Sequence, residues 1–226
     1  MSSFIIFKNW KNVLPLRFAY YFKPGGVFFM KKIKLVALIE AAFFAAIAMV
    51  LDLLPSITIA PAVTISFSMV PIFILAFRWG FKVSFISGFL WGLLQLTTGN
   101  FYFLSVIQFL IEYFIAFAFV GFAGLFHPVI QKSLQNGNKL LVSIWVVVAV
   151  FVGSLARYFW HFVAGVVFWG DYAPEGMSPF MYSFVMNGLA MVGAAVLCSI
   201  VLVLLISASK RIIMKKGSGP IATERS

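Results

Sequence analysis

From residue 34 onward, the chain alternates between long apolar stretches and short connections that carry most of the charged residues. Several stretches reach or exceed the roughly 20 residues that an α-helix needs to cross a bilayer. We therefore predict an all-α integral membrane protein, a single bundle of six transmembrane helices. The predicted spans are Lys34–Leu54, Ile57–Phe77, Phe81–Leu96, Phe103–Phe126, Leu140–Phe168 and Met181–Ser207.

The second predicted span contains two prolines, Pro61 and Pro71. Because proline has no backbone N–H, we expect both residues to distort or break that helix. Irregular backbone at membrane depth is tolerated only where it contacts protein or a cavity. The prolines therefore predict a binding cavity near the second span.

The composition supports the membrane interpretation. Hydrophobic residues make up 63% of the 226 residues, charged residues make up 10%, and the mean hydropathy is +1.06. A soluble domain is about half apolar and about a quarter charged. These values exclude a soluble fold and leave no room for a large aqueous catalytic domain.

The distribution of Lys and Arg gives the spans a direction. Basic residues precede the first span, follow the sixth, and occupy the connections between spans two and three and between spans four and five. The other three connections contain no Lys or Arg. Since cytoplasmic loops collect these residues, we predict that both termini are cytoplasmic. The net charge of +11 is then topological, and we expect no nucleic-acid partner.

The predicted six-helix domain occupies residues 30–209 and has a segment on each side. Residues 1–29 mix basic and aromatic residues and end in the helix breaker Pro24-Gly25-Gly26. We expect Met30 to be the functional start, and the alternative is that residues 1–29 form an amphipathic anchor on the inner leaflet. Residues 210–226 read as a basic and then polar cytoplasmic tail.

The chain lacks the motifs that would let it hydrolyse ATP or act as a common type of hydrolase. It contains no GxxxxGK[ST] loop, no HExxH and no GxSxG. One cysteine, Cys198, and two histidines are too few for a multi-Cys or multi-His metal site. We expect no catalytic residue, metal or cofactor, and a protein that binds a solute but does not drive its movement alone.

Ionisable residues inside the spans are candidates for function, because a charge at mid-membrane costs roughly 3 kcal/mol or more. Glu112 lies about ten residues into the fourth span, and Arg157 lies about twelve residues from the outer end of the fifth. One interpretation is a buried Glu112–Arg157 ion pair that fixes helix register. The other is that Glu112 receives a polar or cationic ligand.

A stripe of unusual residues on the fifth span favours a ligand. The stripe recurs every four residues, so its members share one helix face: Arg157, His161, Gly165 and Trp169. Singly, Trp169 fits an interfacial belt, His161 an interhelical hydrogen bond and Gly165 a packing contact. Together, and beside Glu112, they predict a pocket.

Tyrosines and an amide add to the candidate pocket. Tyr182 and Asn187 begin the sixth span, while Tyr102 and Tyr113 lie around the start of the fourth. Five residues correspond to about 140° around an ideal helix, so Tyr182 and Asn187 share one cavity only near its edge or with local distortion. A carboxylate with several aromatic faces suits a flat, heteroaromatic, cationic solute.

Small residues in the first span predict a second contact surface. Ala42 and Ala46 form a small-xxx-small pair within a series of alanines that are three and four residues apart. Such a strip lets another helix approach closely. The two interpretations are packing within the bundle and docking of a partner protein.

With these residues, the chain resembles the thiamine-specific substrate-binding subunits (S components) of energy-coupling factor transporters, the ThiT or YuaJ family. The resemblance covers about Leu35 to Ile206. The segments that carry it are Glu40–Ala46, Trp91-Gly92, Thr98–Tyr102, Glu112-Tyr113, Tyr158–Gly165, Phe168-Trp169 and Asn187-Gly188.

The resemblance implies thiamine capture at the bacterial cell membrane, in a pocket near the extracellular face. It implies two kinds of partner, a membrane-embedded coupling protein and two cytoplasmic ATPases. Glu112 would hold the aminopyrimidine, Trp169 would stack on a ring, Ala42 and Ala46 would meet the coupling protein, and the first outer connection would act as a gate. The other residues implied to contact thiamine are His161, Gly165, Tyr182, Asn187, Tyr102 and Tyr113.

Two departures from the family leave the ligand and the function open. The run Pro61–Ser66 lacks the Trp and Glu with which some relatives hold the thiazolium, and Arg157, also a ligand-binding candidate, stands where Lys is expected. The ligand is therefore thiamine, a phosphate of it or a precursor. Two other classes are an autonomous ion- or proton-coupled carrier with Glu112 as its proton site and a membrane enzyme that uses His161 and Glu112 as acid and base.

Overall fold

The computed structural model describes residues 33–54, 56–60, 63–99 and 101–214, with the backbone alone at residues 57–60 and 63. The predictions made for residues 1–29, for Met30 as the functional start and for the tail beyond residue 214 lie outside the described residues. From Leu35 onward, the described chain belongs to one compact unit. The proposed domain boundaries stay predictions.

Six helices account for most of the described chain, which fits the predicted six-helix architecture. By length and composition, four of them can cross a membrane: α1, α4, α5 and α6. The other two, α2 and α3, are shorter. The bounds are α1 Leu35–Asp52, α2 Val70–Trp79, α3 Phe81–Gln95, α4 Val106–Gln135, α5 Lys139–Phe168 and α6 Pro179–Ala208. Short 3₁₀ turns follow three of the helices, at Leu96–Thr98, Gly170–Tyr172 and Lys210–Ile212.

The prediction of one helix over Ile57–Phe77, and with it a purely helical fold, is wrong. Strands β1 (Ile57–Ala60) and β2 (Val63–Ile65) pair as an antiparallel hairpin, and helix α2 begins only at Val70. The β-branched residues of this run favour extended backbone. Pro71 lies in the first turn of α2, where its missing N–H costs no helical hydrogen bond, so it starts the helix rather than breaking it.

Helix α2 lies in the core of the bundle. Every residue from Val70 to Phe77 is buried. A helix that is apolar on all sides and enclosed by protein needs no lipid-facing side. Its ten residues therefore form a central packing element, preceded directly by the hairpin.

The alanines of α1 divide between two faces. Ala41, Ala45 and Ala48 are buried, and the carbonyl oxygen of Ala41 accepts a hydrogen bond of 2.7 Å from Ser87 Oγ of α3. Ala42 and Ala46 are exposed. The buried alanines Ala41, Ala45 and Ala48 pack within the bundle. Docking of a partner on Ala42 and Ala46 stays a prediction.

Helix α4 changes its winding several times along its length. Its π-helical part carries Glu112 and Tyr113, and such π turns occur often at functional sites. A Cβ added at Gly92 of α3 would overlap the carbonyl oxygen of Tyr113, so the glycine allows α3 to approach this part closely. The successive parts are α-helical Val106–Phe109, π-helical Leu110–Ile115, α-helical Ala116–Phe119, 3₁₀-helical Val120–Phe126 and α-helical His127–Gln135.

Candidate ligand-binding site

A cavity of about 330 Å³ lies among the last turns of α1 and α3, the C-terminal half of α5 and the N-terminal halves of α4 and α6. Its volume is near the lower end of the roughly 300–1,000 Å³ that is common for small-molecule sites. The structure brings all the predicted ligand-binding residues together on its wall. They are Tyr102, Glu112, Tyr113, Arg157, His161, Gly165, Trp169, Tyr182 and Asn187. Their contact with a ligand stays a prediction.

Glu112 is held by two N–H donors. The indole Nε1 of Trp169 donates to Glu112 Oε1 over 3.1 Å, and Gln108 Nε2 donates to the other carboxylate oxygen. Gln108 is fully buried, and its Oε1 accepts from the backbone N–H of Leu104 at 3.1 Å. Trp169 is only 9% exposed. Trp169 and Gln108 therefore orient the Glu112 carboxylate, and both are themselves held in place by burial.

The predicted alternative of a Glu112–Arg157 ion pair is wrong. Arg157 forms no ion pair within the described part of the chain, and its guanidinium carbon lies 4.6 Å from the ring centroid of Trp91 and 4.2 Å from that of Phe117. At such distances the cation is attracted to the electron-rich faces of the rings. Aromatic faces therefore take the place of the expected carboxylate partner.

His161 is positioned by the same arginine. Arg157 Nε donates to His161 Nε2 over 3.4 Å. Since Nε2 is the acceptor, a neutral imidazole carries its proton on Nδ1. His161 also lies edge-to-face with Phe117, with their ring centroids 6.3 Å apart. The imidazole therefore offers an N–H donor and not a second acceptor.

Three aromatic rings form one side of the cavity. The ring of Trp169 lies 5.3 Å from that of Tyr102, edge-to-face, and 5.3 Å from that of Tyr172. The hydroxyl of Tyr113 accepts from the backbone N–H of Tyr102 at 3.0 Å, which fixes the start of this wall. The arrangement offers flat faces to a planar ligand.

The surroundings of Gly165 fit the packing contact that was one interpretation of this residue. A Cβ at Gly165 would overlap Ser183 Oγ of α6 and lie 3.3 Å from Asn187 Nδ2. The missing side chain therefore lets α6 approach α5 closely, while contact of Gly165 with a ligand stays a prediction. Ser183 Oγ donates to the carbonyl oxygen of Phe162 at 2.8 Å, which joins α5 to α6 at the same place.

Tyr182 and Asn187 both reach the cavity wall, with Ser183 and Met186 between them. Asn187 Nδ2 donates to the carbonyl oxygen of Ser183 at 3.1 Å within its own helix. Within the described residues, no donor reaches the side-chain oxygen Oδ1 of Asn187. The amide can therefore present an acceptor to the cavity.

The sequence interpretation missed Asp52 and Gln95, which also line the cavity. Asp52 is the last residue of α1, and its carboxylate accepts a hydrogen bond from Gln95 Nε2 at the end of α3. The sequence signal that could have identified Asp52 is its position as an acidic residue near the end of an otherwise apolar stretch. The cavity expected near the second predicted span is present, since Thr64 and Ser66 of that run line it.

Comparison with known proteins identifies similar chains over most of the length. The family model described as Thiamine transporter protein (Thia_YuaJ) matches residues 38–214. The thiamine transporter ThiT of Bacillus subtilis (strain 168) is 37% identical over 182 residues, covering 80% of this chain and 95% of that protein. The thiamine transporter ThiT of Lacticaseibacillus paracasei is 34% identical over 194 residues, covering 84% and 96%.

A solved structure shows the same fold. The structure of ThiT from Listeria monocytogenes superimposes with a TM-score of 0.77 at 38% sequence identity. The match covers 80% of this chain and 98% of that one. An experimental structure of a related chain therefore has the same overall fold as this one.

Proposed function

Because this chain belongs to the Thia_YuaJ thiamine transporter family, as a multi-pass protein of the bacterial cell membrane, we propose that it captures thiamine as the S component of an energy-coupling factor transporter. Two cytoplasmic ATPases would hydrolyse ATP, and a transmembrane coupling protein would connect them to this chain. The chain itself binds the vitamin and performs no catalysis.

The geometry of Glu112 carries the proposal. A carboxylate has about four lone-pair sites, and the N–H groups of Trp169 and Gln108 occupy two of them. The remaining sites are free to accept from the amino group of an aminopyrimidine. Hydrogen bonds to an ionised acceptor are stronger than those between neutral groups, so this carboxylate is the main polar anchor.

The rings and neutral groups around Glu112 support a planar, cationic ligand. Trp169, Tyr102 and Tyr172 supply faces for stacking. The ring N–H of His161 supplies one donor, and the side-chain oxygen of Asn187 supplies one acceptor. Electron-rich aromatic faces attract organic cations. A thiazolium joined to an aminopyrimidine combines these features in one molecule.

The orientation in the membrane follows from the charges of the connections. The cavity lies among the helix ends that meet the connections without Lys or Arg. The basic connections join the helices at their other ends. Since cytoplasmic loops are rich in these residues, the cavity opens near the extracellular face and both termini are cytoplasmic. The hairpin between α1 and α2 then belongs to the outer side, where Ser56, Thr64 and Ser66 can act as part of a gate.

The exposed face of α1 supports docking of the coupling protein. Ala42 and Ala46 are exposed and lie one helical turn apart. Small residues at this spacing let a second helix approach closely in lipid. The coupling protein therefore binds this face of α1.

Calorimetric titration of the purified full chain tests the ligand. Thiamine, its monophosphate, its diphosphate and the isolated aminopyrimidine are titrated separately. We expect saturable binding that is tightest for thiamine and weak for the isolated pyrimidine, which lacks the cation. Absence of saturable thiamine binding would contradict the proposal, and tighter binding of a phosphate would reassign the ligand.

Reconstitution tests the dependence on partners. Vesicles that contain this chain alone are given an imposed proton or sodium gradient and labelled thiamine. We expect binding without accumulation, because the chain has no ATP-binding loop. Accumulation driven by the gradient would favour an autonomous carrier.

A further inference from the structure

The cavity contains a second carboxylate whose partner is an amide rather than a cation. Asp52 accepts a hydrogen bond from Gln95 Nε2, and both residues lie on the cavity wall. Within the described part of the chain, Asp52 forms no ion pair. The amide fixes the direction of the carboxylate without neutralising its charge.

The charges on the wall do not balance. Glu112 and Asp52 are acidic, and Arg157 is the one Lys or Arg among the described residues that line the wall. Arg157 is engaged by the aromatic faces of Trp91 and Phe117 instead of a carboxylate. With both carboxylates ionised and His161 neutral, the wall carries one excess negative charge.

The two carboxylates lie on different helices and have separate hydrogen-bond partners. Glu112 in α4 is held by Trp169 and Gln108, and Asp52 at the end of α1 is held by Gln95. An elongated ligand with an aminopyrimidine at one end and a charged ring at the other therefore has a separate carboxylate available for each part.

We propose that Asp52, oriented by Gln95, is the specificity-determining residue that supplies the negative charge for the cationic ring of the ligand. The site thereby selects an organic cation over a neutral molecule of the same shape. The identity of the cation as a thiazolium rests on the proposed function, whereas the preference for positive charge rests on the charges of the wall.

The nature of the segment beside Asp52 strengthens this assignment. The chain from Asp52 through the hairpin contributes Ser56, Thr64 and Ser66 to the wall, and these side chains are all neutral hydroxyls. Within the described residues of this region, Asp52 is therefore the one group that can counter a positive ring by charge.

The test compares two ligands on the full chain. One is thiamine, and the other is its neutral isostere, in which a thiophene replaces the thiazolium. The substitution Asp52→Asn removes the charge but keeps an oxygen that can accept from Gln95. We expect thiamine binding to weaken about tenfold or more, because unit charges at contact distances interact strongly in a partly buried site. Binding of the isostere should change by less than about twofold.

Two further variants complete the design. Asp52→Glu keeps the charge and should keep the preference for thiamine over the isostere. Asp171→Asn makes the same chemical change at an exposed residue that does not line the cavity and should alter neither affinity. If Asp52→Asn fails to fold, the parent protein decides, because the proposal requires it to bind thiamine more tightly than the isostere. Equal affinity of the parent for the two ligands overturns the proposal.

The other outcomes are equally informative. Equal weakening of both ligands in Asp52→Asn would show that Asp52 only holds α1 to α3, and unchanged thiamine binding would show no role for its charge. Either result overturns the inference, while thiamine binding by the parent protein would still support the proposed function. Failure of the parent protein to bind thiamine would instead contradict the proposed function.

Discussion

Replacement of Glu112 by glutamine is the sharpest test of the site, because it changes charge and hydrogen bonding without changing shape. In the parent protein, Trp169 and Gln108 each donate to one carboxylate oxygen. The glutamine amide can accept from Trp169, but its NH₂ group then faces the NH₂ group of Gln108. Gln108 cannot turn its amide over freely, since its Oε1 accepts from the backbone N–H of Leu104.

The expected loss follows from the removed charge. Hydrogen bonds to charged groups contribute about 1.5–3 kcal/mol each. Loss of one such bond to the ligand weakens binding about 10- to 150-fold. The donor–donor contact with Gln108 adds to this loss, so the lower end is a conservative expectation for Glu112→Gln.

Calorimetry with thiamine on the purified protein measures the effect directly. Glu175→Gln is the matched control, because Glu175 is exposed in the connection between α5 and α6 and does not line the cavity. We expect the control to bind like the parent. Binding by Glu112→Gln within about twofold of the parent would refute the role given to this carboxylate.

Three further substitutions, one of them with a matched control, test the site and the helix packing beside it. Trp169→Ala removes a stacking face and a donor, and should weaken calorimetric thiamine binding about 30-fold or more; parent-like binding would contradict the pocket. Gly92→Ala places a Cβ on the carbonyl oxygen of Tyr113 and should destabilise the protein by about 1–3 kcal/mol, seen as a lower Tm in detergent. Gly188→Ala, whose Cβ would meet no atom within 4 Å, should leave the Tm nearly unchanged, and an equal decrease in both would reject the packing argument. Arg157→Lys should lower the Tm because a compact ammonium stacks less well on rings than a guanidinium does, and an unchanged Tm would count against the cation–π contacts.

The placement of the α5 residues on the cavity wall could be predicted because residues four positions apart lie on the same side of a helix. Arg157, His161, Gly165 and Trp169 recur every four residues, and the continuous helix of 30 residues brings all four to the cavity. Glu112 could be predicted because an acid inside an apolar span is costly. Both arguments need only the local geometry of one element.

The hairpin and the surroundings of Asp52 could not be predicted in the same way. A short apolar run such as Ile57–Ile65 is compatible with a strand or a buried helix, and hydropathy does not distinguish them. The contact between Asp52 and Gln95 joins residues that are 43 positions apart, so it depends on how α1 packs against α3. Arg157 shows the same limit, because aromatic rings from two other helices replaced the carboxylate that simple charge pairing suggested.

The π-helical part of α4 has a consequence for comparing relatives. A π turn closes its hydrogen bond over five residues instead of four, so residues before Leu110 and after Ile115 differ by one place in helical phase. An ungapped alignment through α4 with a relative that lacked this turn would therefore be displaced by one position on one side of it. Such a relative would turn a neighbouring side chain toward the cavity even if it kept the same acid. In this part of the chain, the length of the segment determines the chemistry of the cavity as much as the identity of residue Glu112.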